Sequence, residues 1–101
     1  MPNVYIVNKS CHNFSAAKHF GNLVYMTEGT INRYAVSIIY REFIKFLDKS
    51  KPEDYLIVTG MSTMLSIACG ILAAKHQRLN LLLYKNGRYL ERTIMFDNEG
   101  E

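Results

Sequence analysis

Four short apolar runs, at residues 4–7, 23–26, 55–58 and 79–84, punctuate the chain, and a fifth strand-like run follows at 89–96. The first four are rich in Val, Ile, Leu and Tyr and are bounded by polar or turn-forming residues, which suits strands buried on both faces. Residues 31–47 carry apolar side chains at 31, 35, 38, 39, 43 and 46, a helical period. Thr30 is the expected cap of this helix. Arg33, Arg41, Glu42, Lys45 and Asp48 then fall on its wetter side, and Pro52 stops it running on through the charged segment 48–54. A second helix is expected after Gly60, capped by Ser62 or Thr63. It is apolar almost all round (Met64, Leu65, Ile67, Ala68, Cys69, Ile71, Leu72, Ala73, Ala74), so it is expected to be covered on most sides. Lys75, His76 and Arg78 sit in its expected last turn, where the helix dipole favours positive charge.

The remaining segments join these elements. Residues 14–20 read as a short helix and Gly21-Asn22 as a turn. Asn86-Gly87 is a two-residue hairpin signal, so 89–96 returns antiparallel to 79–84 as an edge strand. The acidic tail at 97–101 is expected to fray. Strands alternating with helices predict an α/β fold. The expected form is a small Rossmann-like three-layer sandwich, a mostly parallel sheet covered on both faces with a C-terminal antiparallel hairpin.

The totals narrow the setting. A chain of 101 residues implies one compact domain, small enough that dimerisation is plausible. A formal charge of +3 without a dense Lys/Arg run argues against long nucleic acid. Cys11 and Cys69 are too few for a disulfide framework, which points to a reducing, cytoplasmic location. No secretory signal is expected at the N-terminus, and the apolar helix is too short and interrupted for a membrane span.

In such folds, ligands bind beyond the carboxyl ends of the parallel strands. Four polar segments are expected on that rim: 8–12, 27–33, 59–63, and Lys85 with Arg88. Asn8, Gly29, Thr30, Asn32, Arg33, Thr59, Gly60, Ser62, Thr63, Lys85 and Arg88 are therefore the candidate ligand-binding residues. Hydroxyls and free backbone N–H groups suit phosphate oxygens, and Lys or Arg neutralises their charge. Arg33, in the expected first helical turn, opposes the dipole unless an anion sits nearby. Polar loops and helix caps are also ordinary features of any such fold.

Lys9, Ser10 and His12 are the candidate catalytic residues, His12 as acid or base and Lys9 as a charge stabiliser. Cys11 beside His12 suggests a Cys/His pair, but neighbours on an extended segment point to opposite sides. Cys11, His12 and His19 lack the spacing of a zinc site, so no metal or other cofactor is expected. The 59–63 segment is neither a Walker loop nor Gly-x-Gly-x-x-Gly, and only half of a Gly-x-Ser-x-Gly elbow is present at Gly60-Met61-Ser62.

The segment Thr59-Gly60-Met61-Ser62-Thr63-Met64, between a strand and an apolar helix, resembles the Thr-Gly-Gly-Thr-Lys-Met type turn of CARF domains. It departs from that turn at Met61 and at Thr63. CARF domains are Rossmann-like, usually dimeric binders of cyclic oligoadenylates, and some cleave them as ring nucleases. The resemblance implies that Thr59, Gly60, Ser62 and Thr63 meet ligand phosphates, with residues 8–10 as the second ligand segment. It implies a free-standing homodimeric protein that sequesters or cleaves a cyclic nucleotide or oligonucleotide messenger. Cleavage would be metal-independent, with a ribose 2′-hydroxyl as nucleophile. The competing reading is a small protein-interaction module, an inhibitor or adaptor pairing through the edge strand at 89–96.

Overall fold

The computed structural model describes residues 1–10 and 12–96; Cys11, with its Cys/His reading, and the acidic tail at 97–101 lie outside the described residues. The element order is β1 (Asn3–Ile6), a short 3-10 turn (Ser15–His19), β2 (Asn22–Tyr25), α1 (Val36–Leu47), β3 (Tyr55–Ile57), α2 (Ser62–His76), β4 (Arg78–Lys85) and β5 (Arg88–Met95). The fold is α/β. Five strands form one sheet in the order β2-β1-β3-β4-β5. The first four strands run parallel and β5 is antiparallel to β4. Asn86 (φ 52°) and Gly87 (φ 84°) both take the positive φ that a two-residue hairpin matched to strand twist requires.

Alternation along the strands separates two cores. Tyr5, Val7, Leu56 and Leu79 face α1 and α2, meeting Ile39, Phe43 and Leu47 from α1 and Met64, Ala68 and Leu72 from α2. Val4, Ile6, Ile57, Leu82 and Tyr89 face the other way, against Phe14 and Ala17. Both α-helices therefore lie on one face, and the opposite face is covered by the 3-10 segment. Crossover handedness explains this. The step from β1 to β2 runs one way across the sheet, whereas β2 to β3 and β3 to β4 run the other way, so their connections lie on opposite faces.

Local turn chemistry corrects three expectations. α1 begins at Val36, because Asn32 Oδ1 accepts the Tyr34 N–H at 3.0 Å and holds 32–35 in a separate turn. Thr30 is therefore not its cap, and Arg33 is not in its first turn. α2 begins at Ser62 with Met61 in the capping position and no side-chain cap, so neither Ser62 nor Thr63 caps it. It ends at Gln77 in the left-handed conformation (φ 53°, ψ 34°), which places Arg78 in β4. The expected cover over α2 is also incomplete. Met64, Ala68 and Leu72 are buried, but Ser66, Gly70 and Ala74 are exposed.

Polar contacts fasten the amino ends of the strands. Asp54, 8% exposed, accepts the Asn3 and Lys51 N–H groups, each at 2.9 Å. Asn80 donates to the carbonyls of Pro52 (2.9 Å) and Asp54 (3.0 Å), while its Oδ1 accepts from Arg78 Nε and Thr93 Oγ1. Ser50 Oγ donates to the Leu47 carbonyl at 2.6 Å, so the 2.8 Å contact with His76 Nε2 has the imidazole as donor. That proton arrangement makes Ser50–His76 a structural tie between the ends of α1 and α2, not a nucleophile and base.

Candidate functional site

The connections leaving β1 and β3 depart toward opposite faces, and these strands are neighbours in the sheet. Such a point opens a crevice at the carboxyl ends of the strands. A cavity of about 190 Å³ lies there, lined by Asn8, Ser10, His12, Phe14, Thr59, Gly60, Met61 and Met64. Gly60 shapes its wall. Its φ of +89° is left-handed, and an added Cβ would stand 2.8 Å from Val7 Cγ2. Only glycine lets the β3–α2 turn pack this closely on the end of β1.

The loop after β2 is tied to the same end. Thr27 Oγ1 shares its one proton between the Val7 carbonyl (2.6 Å) and Asn8 Oδ1 (3.0 Å), and Asn8 Nδ2 donates to the Gly29 carbonyl (3.1 Å). Lys9 N–H bonds the Thr27 carbonyl, and Lys9 bridges to Glu28 in parallel register. Asn8 is thus held on two sides with its segment spread along the crevice. Ser10 Oγ accepts the His12 N–H at 3.3 Å, and the His12 ring meets Phe14 edge-on at 6.2 Å.

Of the residues expected from sequence, Asn8, Ser10, His12, Thr59 and Gly60 line this cavity. Gly29 touches it through Asn8. Lys9 does not line it: its ammonium lies over the Tyr25 ring, 5.6 Å from the centroid, on the face opposite the helices. Ser62 and Thr63 sit in the first turn of α2 just beyond Met61, and Thr30, Asn32 and Arg33 belong to the turn before α1. Lys85 and Arg88 pair at the tip of the β4–β5 hairpin. None of these seven lines the cavity.

Phe14, Met61 and Met64 were not expected there. These side chains carry a dual role that periodicity does not expose, since Phe14 and Met64 are core residues and Met61 packs against the core. The cavity is therefore polar on its β1 side and partly apolar on its α2 side. Among the described residues no group of three or more His, Cys, Asp or Glu is placed to hold a metal ion. Cys69 on α2 is half-buried, and burial raises its thiol pKa, so it is a poor nucleophile. No helix of the described residues is long and apolar enough to cross a membrane.

A mostly parallel sheet, a C-terminal antiparallel hairpin and a reversal of strand order define a small Rossmann-like α/β protein with a crevice at that reversal. Residues 2–96 match the family of phage Pam3 gp32-like proteins, and the chain belongs to that family. No curated protein and no solved structure matches it.

Proposed function

We propose that this protein binds a cyclic nucleotide or oligonucleotide messenger, seating one phosphate–ribose unit in the crevice between the 8–12 and 59–61 segments. The observation that carries this reading is the convergence of Asn8, Ser10, His12, Thr59 and Gly60 on one cavity at the strand-order reversal. About 190 Å³ is below the usual ~300–1,000 Å³ of a whole small-molecule pocket. A fragment of the ligand fits inside, and the bases lie over the open rim. The free N–H groups that begin α2 stand beside Met61 and favour the phosphate.

The same arrangement suits cleavage. His12 takes the proton of a ribose 2′-hydroxyl, whose oxygen bonds the adjacent phosphorus as the bond to the 5′-oxygen breaks. The leaving 5′-oxygen takes a proton from water and the His12 imidazolium returns its proton to solvent, giving a 2′,3′-cyclic phosphate and a free 5′-hydroxyl. Ser10 Oγ anchors His12 by accepting its N–H. A phage protein with this activity would act in counter-defence, removing a messenger of its host. Chromatography after incubation with cyclic dinucleotides and cyclic oligoadenylates tests the proposal. Ligand bound and cleaved by wild type, and bound but left intact by His12→Ala, is the expected result. No ligand retained or altered, at any ring size, refutes it.

The open side of β5 favours a second reading, an interaction module that adds its edge to a partner sheet. Ile94 (45%), Met95 (64%) and Phe96 (43%) are exposed along it. A defined protein partner that binds without any nucleotide, and is lost on Thr93→Pro, would establish that reading in place of the first.

A further inference from the structure

We infer that the outer groove between α1 and α2 is a two-fold interface with a second copy of this chain. This is independent of any ligand at the crevice. Two adjoining cavities run along the groove and share Tyr40 and Ile67. One, of about 520 Å³, is lined by Ile44, Ile71, Gly70 and Ala74 and ends at Asp48 and Lys75. The other, of about 430 Å³, extends past Val36 to Arg41.

Three features point to a protein surface here. First, α2 is apolar nearly all round, yet the described residues cover only its sheet side and one flank. Ile67 and Ile71 are half-buried, and Gly70 and Ala74 face out. An all-apolar helix is stable in water when every side is covered. Second, Gly70 lies mid-helix, where glycine is the least favourable residue after proline. A Cβ at Gly70 would meet nothing within 4 Å among the described residues, so no contact among them requires glycine. Close approach of another backbone does require it. Third, Val36 and Tyr40 are 50% and 51% exposed beside the groove.

Size and charge select a second copy as the occupant. The α2 face is about 22 Å long, and two helices side by side are about 20 Å wide. In projection that face is about 440 Å², about half of the ~800 Å² per partner that a stable dimer buries, before the corrugation of its side chains is counted. The helices run parallel, with Arg41 lining the upper part of the groove and Asp48, exposed and 3.8 Å from Lys75 of its own chain, at its lower end. A two-fold axis passing near Gly70 and Ile71 lays the two pairs antiparallel. It then brings Arg41 of each copy toward Asp48 of the other, the self-complementarity a two-fold interface needs. The β5 edge is less suited, because Arg88, Glu91 and Arg92 interrupt its apolar residues.

Light scattering on the eluting full chain, over a dilution series, tests this. Wild type should run at twice the 11.6 kDa chain mass. Gly70→Arg should give a monomer with unchanged far-UV circular dichroism, since the site has room and arginine is a better helix former. Arg41→Asp and Asp48→Arg should each weaken dimerisation by roughly tenfold or more, and the double variant should restore most of it. A monomeric wild type overturns the inference. So does a dimer that survives Gly70→Arg, which would place the interface elsewhere.

Discussion

Gly60→Ala is expected to destabilise the protein by about 2–5 kcal/mol. The left-handed φ of +89° costs a non-glycine residue about 1–2 kcal/mol. The new Cβ, 2.8 Å from Val7 Cγ2, adds the ~1–3 kcal/mol typical of overpacking. Val7 cannot easily turn aside, because it is fully buried and β-branched. Gly29→Ala is the matched comparison. Its φ is +84°, but a Cβ there meets nothing within 4 Å, so strain acts alone. Alanine restricts the unfolded chain equally at both positions, and that contribution cancels in the difference. Urea unfolding followed by circular dichroism should therefore place Gly60→Ala about 1–3 kcal/mol below Gly29→Ala. In a domain of this size each kcal/mol lowers the melting temperature by about 4–8 °C. Equal losses at the two glycines would refute the reasoning. They would mean that the β3–α2 turn moves off β1 without penalty, and that the cavity wall is not fixed by this contact.

Other outcomes follow from the amino end of the sheet. Burial and neighbouring Lys75 hold the His76 pKa below its ordinary 6.5, despite the opposing pull of Asp54 and Glu53. The folded state thus disfavours the imidazolium. This contribution is fully present above about pH 6.5 and is lost as the pH falls from there toward the folded-state value. The stability of wild type should drop faster between pH 7 and 5 than that of His76→Gln, measured by urea midpoints at each pH. Asn80→Ala should cost about 2–4 kcal/mol in the same assay, because it strands the Pro52 and Asp54 carbonyls and removes partners of Arg78 and Thr93.

Much of the fold was readable from local pattern. The apolar runs gave all five strands to within one or two residues at each end, and Asn86-Gly87 marked the hairpin because few other pairs accept two successive positive φ values. The start of α1 was not readable from periodicity, because Ile31 and Ala35 continue the apolar spacing while Asn32 diverts the backbone into its own turn. The left-handed Gln77 that closes α2 left no signal, since glycine is the usual residue there. Both helices sharing one face depends on strand order, which no local pattern contains. The site was partly legible. Asn8, Ser10, His12, Thr59 and Gly60 were found as polar strand ends, whereas Lys9 was drawn away by the Tyr25 ring. Arg33 was misplaced along with the start of its helix.

The buried polar lashings of Asp54 and Asn80 all sit where the strands begin, and among the described residues no side-chain tie of this kind crosses between β3 and β4 where they end. The sheet is hinged like a fan clamped at its rivet. Thermal breathing is then concentrated on the β3 side of the crevice, at Thr59, while Thr27 and Gly29 hold Asn8 to the loop after β2. Amide protons of Asn3 and Lys51 should outlast those of the 59–61 turn in exchange with heavy water.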